Sequence, residues 1–277
     1  MKKVLLAFII LILMVSSIGC IKNHYNKLYP LNISFIDVGQ GDSILIQYKN
    51  KNILIDSGPD YSEKHLIKYL KDKRIKKLDM VIATHPHADH IGGMDGIIKS
   101  FKIKSFQAPK VLSSDESFVN MVKALRDKNI SINTIKKGKS IALDKEAQIN
   151  FLSPSEASYD NINNYSAVAL LTYKNTTYLF TGDAEEAIEN ELISDYPKLK
   201  VDLIKLGHHG SKTSSTDSFL RALAPKITVI SCGLGNDYNH PSPIILDRLR
   251  KLNIKVLRTD TMGTITIISN GKDIIIP

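Results

Sequence analysis

From residue 31 onward, short apolar runs alternate with polar turns, and their length and period separate strands from helices. Residues 31–38, 43–48 and 52–56 are rich in β-branched and apolar side chains and divided by Gly or Asn turns, which predicts three strands. The pattern over residues 63–72 predicts an amphipathic helix, and residues 78–83 a buried strand. Helices are predicted over 92–100 and 115–128, followed by strands at 131–134, 141–143 and 148–152. The second half repeats this grammar. Residues 168–173 and 176–180 flank Lys174-Asn175, a hairpin signal. Apolar residues at Ala184, Ala187, Ile188 and Leu192 give residues 184–196 a helical period. Strands at 201–206 and 226–231, helices at 217–224 and 243–252, and strands at 254–257, 264–268 and 273–276 complete the pattern. Two such halves predict two sheets packed face to face with helices outside, in one domain over residues 31–277.

The N-terminus follows a different pattern. Lys2 and Lys3 precede an almost unbroken apolar run over residues 4–15, and Ser16-Ser17-Ile18-Gly19-Cys20 follows. Residues 1–20 thus have the layout of a secretory signal, with Cys20 placed like the cysteine of a bacterial lipobox. Ser17 stands where leucine is usual, so lipidation of Cys20, ordinary cleavage and retention as an anchor stay open. Each route predicts an extracytoplasmic domain, anchored to the outer face of the cell membrane through residues 21–30 if Cys20 is lipidated or the signal retained, and secreted if the signal is simply cleaved. Cys232, in an apolar run, reads as a small buried hydrophobe.

The formal charge falls from +9 to +7 when Lys2 and Lys3 are set aside, and much of it lies within residues 64–77 and 99–110. Outside a cell such a surface favours nucleic acid, teichoic acid or anionic lipid. Tryptophan is absent, which leaves Tyr61, Tyr69, Tyr159, Tyr165 and Tyr238 as candidate faces for base stacking. Nothing in the sequence points to an obligate protein partner.

Candidate chemistry concentrates where apolar strands end. Thr84-His85-Pro86-His87-Ala88-Asp89-His90 directly follows the predicted strand at 78–83. A helix could not present these three imidazoles and the carboxylate on one face, and a strand would send neighbours to opposite sides. A loop can turn them all toward one point. Imidazole and carboxylate suit zinc, manganese or iron, so the stretch reads as a metal centre. Asp183 follows the strand at 176–180, where it could also simply cap a helix. Gly207-His208-His209-Gly210-Ser211 follows residues 201–206, and Asn239-His240-Pro241 precedes a helix that His240 could merely introduce.

The series Asp37…Gln40-Gly41-Asp42, His85-x-His87-x-Asp89-His90, Gly182-Asp183 and His208-His209-Gly210-Ser211 resembles the metallo-β-lactamase superfamily. Within it, Asp37-Val38-Gly39-Gln40-Gly41-Asp42 and His-His-Gly-Ser are similar to the hydrolase domain of the ComEC competence family, over about residues 31–277. The resemblance implies an α/β fold, an αββα four-layer sandwich, with two divalent ions, Zn or Mn, on the rim between the sheets. It implies that His85 and His87 hold one ion, Asp89 and His90 the other, and that Asp183 bridges them. His208, with His209 as alternative, would complete the second position, and Asp56 would orient ligand imidazoles from behind.

One departure stands out. The superfamily often supplies another histidine to the first ion, yet residues 91–182 contain none, and Asn163, Asn164 or Ser166 occupies that region. The implied activity is metal-dependent hydrolysis, with nucleic acid or another anionic phosphodiester as the expected substrate. Asp89 would act as ligand and base, Ser211 would donate to a phosphate oxygen, and His240 would contact the phosphate or protonate the leaving oxygen. Lys205 would lie near the rim or point into the core with its strand. The alternatives are hydrolysis of a lactone, β-lactam or thioester, and a lipid-tethered DNA-binding module without turnover.

Overall fold

The computed structural model describes residues 28–155 and 158–277. The expected signal, Cys20 and tether residues 21–27 lie outside the described residues. No described helix is long and apolar enough to cross a membrane.

Two sheets carry the fold. The first runs β17 (Ile274–Ile275), β16 (Ile265–Ser269), β1 (Leu31–Phe35), β2 (Ile44–Tyr48), β3 (Lys51–Ile55), β5 (Met80–Ile82), β7 (Phe106–Pro109) and β8 (Ile132–Ile135). The second runs β15 (Lys255–Arg258), β14 (Ile227–Ile230), β13 (Leu203–Lys205), β12 (Thr176–Phe180), β11 (Ala169–Tyr173), β10 (Ala147–Phe151) and β9 (Ser140–Ala142). A two-stranded ribbon joins β4 (Lys77–Leu78) to β6 (Lys102–Ile103).

Three apolar layers account for the stacking. Residues of alternate strand parity, such as Ile33, Phe35, Ile46, Ile149, Leu171 and Phe180, meet between the sheets. Leu45, Leu54 and Val81 face the other way, onto helices Glu63–Asp72, Met94–Ser100 and Glu116–Asp127. Leu179, Ile204 and Ile230 likewise face helices Glu186–Asp195, Asp217–Leu223 and Pro243–Lys251. Period-two alternation with both faces buried thus builds helix–sheet–sheet–helix, the expected αββα sandwich. Burial of each such side chain contributes ~1.5–3 kcal/mol. Phe35 and Phe180 meet across the sheets with ring centroids 6.2 Å apart. Toward the other end, Tyr48 and Tyr173 make an edge contact at 5.1 Å.

The structure departs from the sequence pattern in three places. The strand expected over 78–83 is broken at Asp79, whose N–H donates to Asn52 O (2.8 Å) while its carboxylate accepts from Asn52 N–H (3.1 Å). Strand β7 arises within a lysine-rich stretch that the pattern left unassigned, and pairs in parallel with β5 and β8. The C-terminal strand β16 crosses back to the first sheet, where Ile265 pairs with Phe35.

Strands β3, β5, β7 and β8 run parallel in the first sheet, and β12 to β15 in the second. Asp56, His85, Asp183 and His209 all follow the carboxyl ends of such strands. The candidate chemistry therefore gathers on one rim.

Candidate metal centre

Asp56 anchors the rim from below. Its left-handed backbone (φ 55°) turns the chain after β3, and its N–H donates to Ile82 O at 2.8 Å. One carboxylate oxygen accepts from Thr84 N–H (2.8 Å), the other from Thr84 Oγ1 (2.6 Å) and His90 Nδ1 (2.8 Å). His90 is thereby fixed with Nδ1 as donor and Nε2 turned to the centre, the supporting arrangement that ligand imidazoles need.

The loop after β5 ends in a short helix, Ala88–Ile91, which His87 caps in extended conformation. This places Asp89 and His90 on the rim side. Gly41 lets the neighbouring loop close over them, since a Cβ there would stand 2.2 Å from the Asp89 carbonyl oxygen. Asp42 N–H donates to that same oxygen at 3.1 Å.

Asp183 is the centre of the cluster. Its Oδ1 lies 3.1 Å from His90 Nε2, and its Oδ2 lies 3.5 Å from His209 Nε2 and 3.9 Å from His85 Nε2. His209 Nε2 is also 3.1 Å from Asp89 Oδ2, while its Nδ1 donates to Ser231 O at 2.9 Å. Ligand atoms of Asp89, His90, Asp183 and His209 all lie within 4.8 Å of one another. Yet His90 Nε2 and Asp183 Oδ1 are buried and make no hydrogen bond. Buried polar atoms normally find partners. Two that converge without bonding, among imidazoles and carboxylates, form a donor set that fits a divalent metal.

Electrostatics agree with that fit. Burial disfavours charge on both His90 and His209, but the surrounding carboxylates overcome it, holding His90 well above its ordinary value and His209 at about 10. Burial likewise opposes ionisation of Asp183, which His90 and His209 nonetheless hold well below the usual carboxylate range. His85 moves the other way, well below normal, through burial and the neighbouring His90. Without metal the cluster therefore balances its carboxylates with protons that metal ions would displace.

The two histidines of the Gly-His-His-Gly loop take different places. Both have left-handed backbones (φ 47° and 53°), a conformation costing ~1–3 kcal/mol for each non-glycine residue. His209 is buried in the cluster. His208, the ligand first expected, is partly exposed; its Nε2 is 3.8 Å from Asp183 Oδ2, and Glu185 Oε1 (3.1 Å) and Thr213 Oγ1 (3.1 Å) hold its Nδ1. The alternative, His209, is thus the one the fold packs against Asp89 and Asp183.

The first half of the centre is sparser. His85 Nε2 and His87 Nδ1 stand 3.0 Å apart, and Ser166 Oγ is 3.5 Å from His85 Nδ1. Ser166 also accepts the Asp183 N–H at 2.9 Å. Asn163 and Asn164 turn to Glu185, through Asn163 Nδ2 to Oε1 (3.2 Å) and Glu185 N–H to Asn164 Oδ1 (3.2 Å). Of the three residues expected in the missing histidine's region, Ser166 is the one bonded to the cluster.

An open cleft of ≈ 720 Å³ lies above, lined by His87, Asp89, Asp183, His209 and His240, with Tyr61 and Tyr238 at its edges. None of the described residues lining it is lysine or arginine. The His240 ring stacks at 6.4 Å on His209 and 5.7 Å on Tyr238. Burial, then His209 and His208, push its imidazole down to about 4, so at neutral pH it is an uncharged N–H donor, not a ready source of protons. Ser211 does not line the cleft. Its Oγ accepts Thr213 N–H (3.3 Å) and pairs with Thr213 Oγ1 (3.0 Å), which spends it on the local turn.

Lys205 points inward, fully buried, and pairs with Asp42 behind His209. Asp42 Oδ1 is 3.6 Å from His209 Nδ1, and Asp42 Oδ2 3.9 Å from His90 Nδ1. The motif containing Asp42 was visible in the sequence, but its partner on another sheet was not. Thr84 and Glu185, which brace His90 and His208, carried no sequence signal of their own.

Comparison with known proteins places the chain in a class. The model of the metallo-β-lactamase superfamily matches residues 36–234, and the chain belongs to that superfamily. It is 35% identical over 251 residues to ComE operon protein 3 of Bacillus subtilis (strain 168), covering 84% of this chain and 32% of that protein. It is 28% identical over 231 residues to competence protein ComA of Neisseria gonorrhoeae, covering 83% and 31% respectively. The chain thus spans about a third of the length of these curated relatives. The metallo-β-lactamase fold protein YhfI from Bacillus subtilis superposes with a TM-score of 0.55 at 15% identity, covering 83% of this chain and 96% of that one. Family and donor set together define a metal-dependent hydrolase.

Proposed function

We propose that this hydrolase is a phosphodiesterase acting on nucleic acid or another anionic phosphodiester. The observation that carries the reading is the position of Asp183, one carboxylate directed at both the His85 side and the His90–His209 side. His85 and His87 would hold one ion, and Asp89, His90 and His209 the other, as zinc or manganese. Such a pair would supply activation of a water near neutral pH and offset charge on the oxygens of an in-line displacement.

The chain's own residues do the rest. Asp89 lines the cleft, where beside holding the ion it would take a proton. The neutral His240 imidazole would donate an N–H to a phosphate or leaving oxygen. Tyr61 and Tyr238, both 69% exposed, offer stacking faces for bases without reading sequence. The two relatives, a competence protein and a ComE operon product, favour DNA as the polymer. Cys20, if lipidated, would tether the domain to the outer face of the cell membrane.

The test is hydrolysis of labelled single- and double-stranded DNA by the full chain, with zinc or manganese, beside His87→Ala and a β-lactam and lactone panel. Metal-dependent cleavage that is lost in the variant supports the reading. Turnover of a small substrate with DNA left intact would replace it, as would DNA binding without any turnover.

A further inference from the structure

The two ends of the sandwich carry opposite chemistry. The parallel strands of both sheets deliver their carboxyl ends to the metal centre, so their amino ends share the opposite base. Strand β1 starts at this base too, where Leu31 pairs with Tyr48 and Ser269. The base joins the sheets directly, through Asn175 N–H donating to Gly271 O at 3.0 Å.

Lysines occupy the turns there. Lys76, Lys102 and Lys104 lead into the first sheet, Lys200 and Lys255 into the second, and Lys272 lies in the β16–β17 turn. All six are exposed, and none forms an ion pair among the described residues. Lys102 N–H donates to Lys76 O (3.4 Å) and Lys255 N–H to Lys226 O (3.1 Å), so the fold itself sets these turns side by side. A five-residue strand puts this face about 17 Å from the rim. That exceeds the Debye length of ~10 Å at 0.1 M salt, so these charges do not serve the cleft.

We infer that the base is a docking surface for an anionic lipid bilayer, which holds the cleft facing away from the membrane. Charge complementarity supports this occupant, because lysine clusters are drawn to anionic headgroups within a Debye length. The chain's connectivity supports it as well. This rests on the reading of the N-terminus as a membrane anchor, through lipid on Cys20 or the retained apolar run at residues 4–15. That anchor connects to the domain through Leu31, at the base, and the stretch from Cys20 to Leu31 can span no more than about 40 Å. A polybasic face is the second signal that turns weak hydrophobic anchoring into stable binding. The inference concerns a face that the hydrolytic reading does not use.

The test is amine acetylation, read residue by residue in the full chain mixed with vesicles of phosphatidylcholine alone or with phosphatidylglycerol. The six base lysines are expected to be protected several-fold in the anionic vesicles, and released by high salt. Lys110 and Lys212, beyond the carboxyl ends of β7 and β13, stay equally reactive in both. Lys76→Glu combined with Lys104→Glu weakens protection of the other four and leaves hydrolysis unchanged. Equal modification in the two vesicle types, or protection centred on Lys110 and Lys212, would overturn the inference. So would stronger protection of the base by labelled DNA than by anionic vesicles.

Discussion

The two halves of the metal centre share Asp183 but differ in support. On one side, His90 is held through Asp56, His209 through Ser231 O, and Asp42 with Lys205 backs both. On the other, His85 Nδ1 has only the hydroxyls of Thr84 (3.2 Å) and Ser166 (3.5 Å), and His87 leans on His85 without a carboxylate behind either ring. Pre-organised ligands bind metal more tightly than ligands that must be gathered. The halves should therefore fill unequally, with the Asp89–His90–His209 side first.

Asp183→Asn should have the largest effect, because it weakens both halves at once. Hydrolysis should vanish while the circular dichroism spectrum stays native, and retained activity at matched metal content would refute the shared role. Next comes His209→Ala, which should remove the tighter site and with it turnover. His208→Ala should cost only about tenfold or less, since that ring is held by Glu185 and Thr213 outside the cluster. Equal losses in steady-state assays of the two variants would erase the distinction between them.

Asp56→Asn should weaken metal affinity by about 10–100-fold, the usual effect of losing a supporting carboxylate. Equilibrium competition with a chromophoric chelator measures it, and an unchanged affinity would show that His90 needs no brace. Protons give a smaller signal. His209 is raised to about 10 in the metal-free protein, so its stabilising charge is fully present below about 6.5 and lost as pH rises through 10. Metal-free stability should accordingly fall over that window, while metal affinity rises as the competing proton leaves. Denaturant titrations across the window, with and without metal, separate these opposite slopes. Ser166→Ala, which removes an oxygen 3.5 Å from His85 Nδ1 and the acceptor of the Asp183 N–H, should have the smallest effect, a modest fall in metal content that analysis after dialysis would show.

Much of this was legible in the sequence, for physical reasons. Strand–loop boundaries such as Ile82 to His85 and Phe180 to Asp183 show directly, because apolar runs end abruptly in polar ligands. The helix over Glu63–Asp72 was readable from its period. What could not be read depends on partners far along the chain. The choice between His208 and His209 turns on which ring packs against Asp89, 120 positions away from His209. Whether Lys205 lies at the rim or points into the core is decided by Asp42, which pairs with it from the loop after β1. Ser211, read as a phosphate donor, is taken up by Thr213 two positions on, a turn contact that strand and helix patterns do not reveal. The concentration of lysines away from the cleft likewise becomes visible only once the strands are aligned.

Calorimetric titration of the metal-free chain with zinc or manganese tests the central claim most directly. Two steps are predicted, the tighter lost in His209→Ala and the weaker in His87→Ala, with Asp183→Asn weakening both. A single step that survives His209→Ala, or a tight step removed by His87→Ala, would contradict the account.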